Sequence, residues 1–215
     1  MRLTKFVLVL TLLCVSFAMK AQIVEGIGIM GGISYGNQKF VTNSPVVIDK
    51  KNYQLGFNGS FFVEFFRNEY ARWVSELQYN QKGSVDKQPN QDYTNKLQYA
   101  CWNNYLKLRY EMLTIIPYVL IGPRLEFIVS QSTSSPPVVG NFSAVHVSPA
   151  VGAGVEFVSY GNISFITDVI YNPDFILPAY TNNPLDIYNK VFELRVGLKY
   201  HFRGRTSCNT PTPGM

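Results

Sequence analysis

From residue 53 to 65 the chain alternates by twos. Tyr53, Leu55, Phe57, Phe61, Val63 and Phe65 fall on one parity; Gln54, Asn58, Ser60 and Glu64 fall on the other. Successive side chains of a strand point to opposite faces, so the segment predicts a ribbon with one apolar and one polar side. Residues 70–82 repeat the pattern, with Trp73, Leu77 and Tyr79 opposed to Arg72, Glu76, Gln78, Asn80 and Lys82. So do residues 192–202, where Phe192, Leu194, Val196, Leu198, Tyr200 and Phe202 oppose Glu193, Arg195, Gly197, Lys199 and His201. Five further segments (26–35, 97–111, 115–129, 143–157 and 162–172) follow the rule less strictly, which brings the count to eight strands. Most are ten residues or longer, long for a soluble sheet and right for crossing a bilayer at a tilt.

The connections alternate as well. Those near 66–69, 112–114 and 158–161 are short, whereas 37–52, 83–96, 131–141 and 173–189 are long and rich in Pro, Ser, Asn and Asp. The expected fold is all-β: an eight-stranded antiparallel up-and-down transmembrane β-barrel with a filled polar lumen, short periplasmic turns and long extracellular loops.

Charge changes this picture by choosing which face points inward. Only 15% of the 215 residues are charged, against 14% aromatic, which excludes a disordered chain. Six of the eight Glu (Glu64, Glu76, Glu111, Glu126, Glu156 and Glu193) lie on the polar parity. Asp168, Arg72, Lys82, Lys107, Arg109, Arg124, Arg195 and Lys199 share it. A cation facing the middle of a bilayer costs roughly 2–4 kcal/mol, so a lipid-facing wall excludes ions and the ionic parity belongs inside, as a paired network. The soluble alternative, a lipocalin-like barrel, would put an apolar pocket inside and the ions outside. The apolar parity is too continuous and too aromatic for an interior. Its rings cluster toward strand ends. Tyr35, Tyr53, Tyr79, Trp102, Phe127 and Tyr171 sit on the loop side, and Phe65, Trp73, Tyr110, Phe157, Tyr200 and Phe202 on the turn side. Two such rims predict the aromatic girdles of a membrane-spanning wall, with outer-membrane lipid as its partner.

The beginning of the chain reads as an export signal. Arg2 and Lys5 precede an apolar run over residues 6–17, and cleavage is expected after Ala18 or after Ala21. No small residue precedes Cys14, so no lipid anchor is expected there. The formal charge of +5 falls to +2 without Arg2, Lys5 and Lys20, leaving 16 basic and 14 acidic residues and no footprint for nucleic acid. The organisation is therefore a signal peptide over 1–21, a barrel over 22–202 and a flexible periplasmic tail over 203–215. Pro123 and Pro149 fall inside predicted strands, where each removes a ladder donor; a bulge near Gly122–Pro123 is the expected accommodation.

Catalytic chemistry is sparse. The only two histidines, His146 and His201, lie on the polar parity of different strands and read as lumen-filling residues rather than as the base of a Ser/His pair. No Asp, Glu or His spacing resembles a metal site, and no cofactor is expected. Cys101 and Cys208 fall at opposite ends of the predicted barrel, ~30 Å apart along a strand, so both are expected as free thiols, with Cys208 the likelier to pair with another protein.

Residues 77–83 (Leu-Gln-Tyr-Asn-Gln-Lys-Gly), 104–108 (Asn-Tyr-Leu-Lys-Leu), 117–123 (Pro-Tyr-Val-Leu-Ile-Gly-Pro) and 191–202 carry a resemblance. The chain resembles the small outer-membrane β-barrel proteins of Bacteroidetes, the "porin family" or PorT-like group, from about Ile27 to Phe202. The resemblance implies an eight-stranded barrel in the outer membrane of a Gram-negative bacterium, and one branch of the group assists type IX protein secretion. The tail beyond Phe202 departs from the pattern, since such barrels often end on an aromatic residue. Eight strands enclose a space that side chains can fill. The expected function is therefore a non-enzymatic anchor or interaction platform, with partners among envelope proteins met through the outer loops or the tail. The alternatives are a narrow pore for ions or small solutes and an accessory role in secretion.

Overall fold

In a computed structural model, residues 23–42, 52–87, 92–112, 114–133, 144–158, 161–173, 180–182 and 185–202 are described. The expected signal peptide and tail, with Cys208, lie outside them. Strands run over Val24–Thr42 (β1), Asn52–Phe65 (β2), Ala71–Lys87 (β3), Asp92–Arg109 (β4), Ile115–Thr133 (β5), Val145–Val158 (β6) and Ile163–Pro173 (β7). They are followed by the three-residue Tyr180–Asn182 (β8) and by Leu185–His201 (β9). Each strand pairs antiparallel with its neighbour, β7 pairs with β9, and β9 closes on β1. β8 pairs only with the outer stretch of β9, so the wall itself has eight strands. The architecture is a closed all-β, eight-stranded antiparallel barrel.

Closure requires a stagger. Stepping from Tyr35 across the ladders through Phe192, Tyr171, Val151, Ile121, Leu106, Trp73 and Phe65 returns to β1 at Val24. The circuit ends about ten residues below its start, a shear that tilts the strands steeply, at roughly 40° or more to the barrel axis. Both chain ends of the wall, Val24 and His201, lie at the same end as the short connections from β2 to β3, β4 to β5 and β6 to β7. Phe66 takes a left-handed conformation (φ 63°) there, and its N–H donates to the Ile23 carbonyl at 2.7 Å, tying the β2–β3 turn to the start of the wall.

Two expectations are corrected. The connection expected over residues 83–96 is mostly strand: β3 runs to Lys87 and β4 starts at Asp92, paired residue for residue out to Lys87↔Asp92. β1, β5 and β9 likewise extend past the expected loop starts, to Thr42, Thr133 and back to Leu185. In these extensions the inner face stays buried and largely polar, with Gln38 bonded to Asn189 and Ser84, while the outer face has left the lipid and need not be apolar, so alternation fades while backbone pairing continues.

The second correction concerns the prolines. No residue is inserted at Gly122–Pro123: the β4–β5 register is the same at Asn103↔Arg124 and at Leu106↔Ile121, and only the pairing lapses between them. The bulge lies further out, where Gln98 pairs with Ser130 but Tyr99 pairs with Ile128. Pro123 and Pro149 face each other across β5–β6. The Pro149 carbonyl lies just past the last β6–β7 pair, Val151↔Tyr171, and accepts from Asn172 Nδ2 at 2.8 Å. A side-chain amide thus takes the place of a ladder donor.

The glycine at 122 is required by the close approach of β4. A Cβ there would run into the Asn104 carbonyl and the Tyr105 Cα, whereas at Gly31 the nearest atom is 4.0 Å away. We expect Gly122→Ala to destabilise the barrel by about 1–3 kcal/mol, and Gly31→Ala to leave it within about 0.5 kcal/mol. Urea titration of both variants in lipid vesicles measures the difference.

Candidate functional site: the barrel lumen

Parity delivers the ionic residues to the inside. Glu64, Glu76, Glu126, Glu156, Glu193, Asp168, Arg72, Lys82, Lys107, Arg109, Arg124, Arg195 and Lys199 are all buried, while Ile29, Leu55, Leu77, Ile121, Val169 and Leu198 on the opposite parity are exposed. The buried charges fall into two clusters.

Arg124 and Arg195 organise the cluster nearer the loops. Arg124 grips Glu193 with both terminal nitrogens, at 2.5 and 3.3 Å, and reaches the Tyr105 hydroxyl at 3.0 Å. Glu193 also accepts from Gln78 and Asn80, each at 2.7 Å. Arg195 donates to Glu76 at 2.6 Å and holds both oxygens of Asp168 at 2.8 and 3.0 Å. Lys82 bonds Glu126 and Asn172, the latter at 2.7 Å. His146 is buried directly across the ladder from Glu126. Cys101 is a buried free thiol on the same inner face.

The second cluster lies toward the turns. Glu64 contacts Lys107 at 3.2 Å, Arg72 at 3.7 Å and Lys199. Glu156 contacts Lys107 at 3.1 Å and Lys199 at 3.4 Å. Arg72 also meets Glu25 at 3.3 Å, and Arg109 meets the half-exposed Glu111 at 2.8 Å. Glu25 was not among the sequence candidates because it precedes the first clear alternation, and its parity shows only in the paired strand.

One arrangement here has the order of a catalytic triad. Ser164 Oγ lies 2.9 Å from His201 Nε2, and Glu25 lies 3.5 Å from Nδ1. Glu156, however, sits 3.2 Å from the same Nε2, and Ser164 has no exposed surface. The group is a polar clamp joining β1, β6, β7 and β9.

Between the clusters runs an apolar layer of Met30, Phe62, Val74, Tyr105, Tyr118, Leu120, Ala150, Ile166 and Ile170. Inward glycines make room for it: a Cβ at Gly28 would strike the Phe62 ring, and one at Gly154 the Tyr118 ring. Tyr118 spans the layers, donating to Asp168 at 3.3 Å and lying under the Lys107 ammonium at 4.2 Å. This layer was missed in the sequence. Its signal was there, in apolar residues on the polar parity of several strands.

A cavity of about 20 Å³, lined by Phe62, Val74, Tyr118, Leu120, Asp168 and Arg195 among others, has room for a single water. Among the described residues no group of three or more His, Cys, Asp and Glu is placed to hold a metal ion.

The candidate girdle residues all lie on the outer wall. Tyr35, Tyr53, Trp73, Trp102, Tyr110, Phe127, Phe157, Tyr200 and Phe202 are exposed; Phe65, Tyr79 and Tyr171 are half-buried. Tyr35 stacks on Tyr53 at 4.4 Å between centroids, and Tyr171 on Phe192 at 4.6 Å. At the other end Phe65 pairs across the ladder with Trp73, and Tyr200 meets Phe202 edge-on at 5.8 Å.

A closed barrel with an apolar wall and its ions folded inside defines a small transmembrane β-barrel protein. The family model described as "Outer membrane protein beta-barrel domain" matches residues 21–199, and the chain belongs to that family. Among solved structures it is similar to the outer membrane protein OprG of Pseudomonas aeruginosa. Identity is 11%, with 84% of this chain and 97% of that one covered and a TM-score of 0.56. Neisserial surface protein A (NspA) matches at 14% identity over 82% of this chain and 97% of that one, with a TM-score of 0.48. Ail, the attachment invasion locus protein of Yersinia pestis, matches at 13% identity over 82% and 99%, with a TM-score of 0.38. Among curated proteins none matches the chain. The protein is a β-barrel of the Gram-negative outer membrane.

Removing one partner of a buried ion pair leaves the other uncompensated, at a cost of about 3–5 kcal/mol. Arg124→Met is therefore expected to destabilise the barrel by that amount, and adding Glu193→Gln to restore at least half of it. Chemical denaturation of the single and double variants, followed by tryptophan fluorescence, gives the coupling energy.

Proposed function

We propose that the protein is a non-enzymatic outer-membrane anchor whose interactions are made by its outer loops, not by passage through the barrel. The observation that carries this reading is the filled lumen. Two ionic clusters and an intervening apolar layer occupy the bore, and the cavity among them holds no more than about one water. An aqueous path would have to part Arg124 from Glu193 and Arg195 from Asp168 in a low-dielectric space. It would also have to wet the ring of Phe62, Leu120 and Ile166.

The strand extensions beyond the lipid support the same reading. β3 and β4 stay paired out to Lys87 and Asp92, so the connection over residues 88–91 is carried on a stiff hairpin. Rigid presentation lowers the ordering cost of binding a partner. The prolines of the long loops expected to form the contact surface, Pro45, Pro89, Pro136, Pro137, Pro178 and Pro184, all lie outside the described residues. Kinship with the PorT-like branch, and with it an accessory part in type IX secretion, is supported by the sequence resemblance alone. Loss of secreted cargo on deletion of the gene tests that part.

In planar bilayers the protein is expected to give no steady single-channel openings. An Arg124→Ala/Arg195→Ala double variant, which removes two large side chains from the bore, is expected to leak. Steady openings of the unaltered protein, comparable with those of the variant, would replace the anchor by a narrow pore.

A further inference from the structure

The lipid-facing wall carries few polar side chains, and two of them are satisfied locally. Trp102 Nε1 donates to Ser75 Oγ at 2.9 Å, and Thr167 Oγ1 donates to the Arg195 carbonyl at 3.2 Å. Asn104 is the exception. It lies on the outward parity of β4 between the exposed Trp102 and Leu106, and is itself partly exposed. Its cross-strand partner, Ser75, sits on β3 between Trp73 and Tyr79, one ring from each rim, so Asn104 lies inside the apolar band. Among the described residues its carboxamide makes no hydrogen bond. The β4–β5 pairing lapses beside it, opposite Pro123, which has no N–H to offer.

A carboxamide presents two donors and an acceptor, and hydrocarbon answers neither. We propose that this wall is a self-association face on which two copies meet about a two-fold axis at Asn104. Each Nδ2–H then donates to the other copy's Oδ1. The commitment to a second copy comes from complementarity. A two-fold axis sets a residue against itself, and a carboxamide is its own complement. A partner must also carry an unsatisfied polar group at this depth in lipid, where barrel walls exclude them, and this chain's own wall carries one. The neighbours Ser75 and Pro123 are small enough to let two walls approach, and the exposed Leu77, Leu106 and Ile121 supply apolar contact around the pair. This inference does not rest on the anchor reading above; a pore could dimerise by the same face.

The test uses protein purified from outer membranes and reconstituted into phosphatidylcholine vesicles, with folding of every variant checked by gel mobility before and after heating. Energy transfer between donor- and acceptor-labelled copies is followed as lipid is added. Self-association of the unaltered protein is expected, with N104L dissociating at a roughly tenfold higher protein-to-lipid ratio, the effect of losing two in-membrane hydrogen bonds. In a background of Cys101→Ser and Cys208→Ser, L106C is expected to cross-link to itself on mild oxidation. L194C, on the opposite wall, is expected not to, and adding N104L should weaken the L106C cross-link. A monomer at every dilution, equal association of N104L, equal cross-linking by L194C, or capture of a different protein by L106C in native membranes would each overturn the proposal.

Discussion

Hydrocarbon cannot hydrogen-bond or solvate charge, and that single deficiency shapes every level of this molecule. It forces the backbone into a sheet with no free edge, which the β1–β9 ladder provides over seventeen residue pairs from Gly26↔His201 to Thr42↔Leu185. It sends the ionic side chains of the lipid-crossing stretches, such as Glu76, Arg124, Asp168 and Arg195, to the inner face. It also governs the exceptions: where Pro149 ends a ladder, the Asn172 amide supplies the donor, and where Trp102 brings an indole N–H to the lipid side, Ser75 receives it.

Exclusion from lipid moves the electrostatic problem inward without solving it. An eight-stranded bore is too narrow for bulk water, so its charges must solvate one another. They do so as networks, not isolated pairs. Glu193 is held by an arginine and two amides, and Glu64 by three cations drawn from β3, β4 and β9. A network spanning the bore ties non-neighbouring strands together, which the wall's ladder cannot do. The apolar layer between the clusters then separates two ionic assemblies with side chains that need no partners. Under the function proposed above, filling of this kind keeps the wall in shape to present its outer hairpins.

Much of this was legible along the chain. Leu55, Phe57, Phe61 and Val63 against Asn58 and Glu64 gave a face and a period, and the ions on one parity chose which face is inside. What escaped did so for physical reasons. Residues 83–87 and 92–96 extend a hairpin beyond the lipid, where neither face is selected for greasiness and parity carries no information. Phe62, Val74 and Ile166 break the alternation one residue at a time, and only the stagger of the strands brings them to one level. Pro123 and Pro149 looked like two separate defects until the register set them opposite each other.

The sequence by itself determined the period, the number of long strands and the sidedness of each, because those follow from the transfer cost of one residue at a time. Only the tertiary structure decided the partners: that Arg124 takes Glu193 from sixty-nine positions away, that Arg195 takes Glu76 and Asp168, and that Asn104 is left unanswered on the wall. Pairing across a bore depends on the shear of the closed sheet, a property of all eight strands together, and no local stretch of chain encodes it.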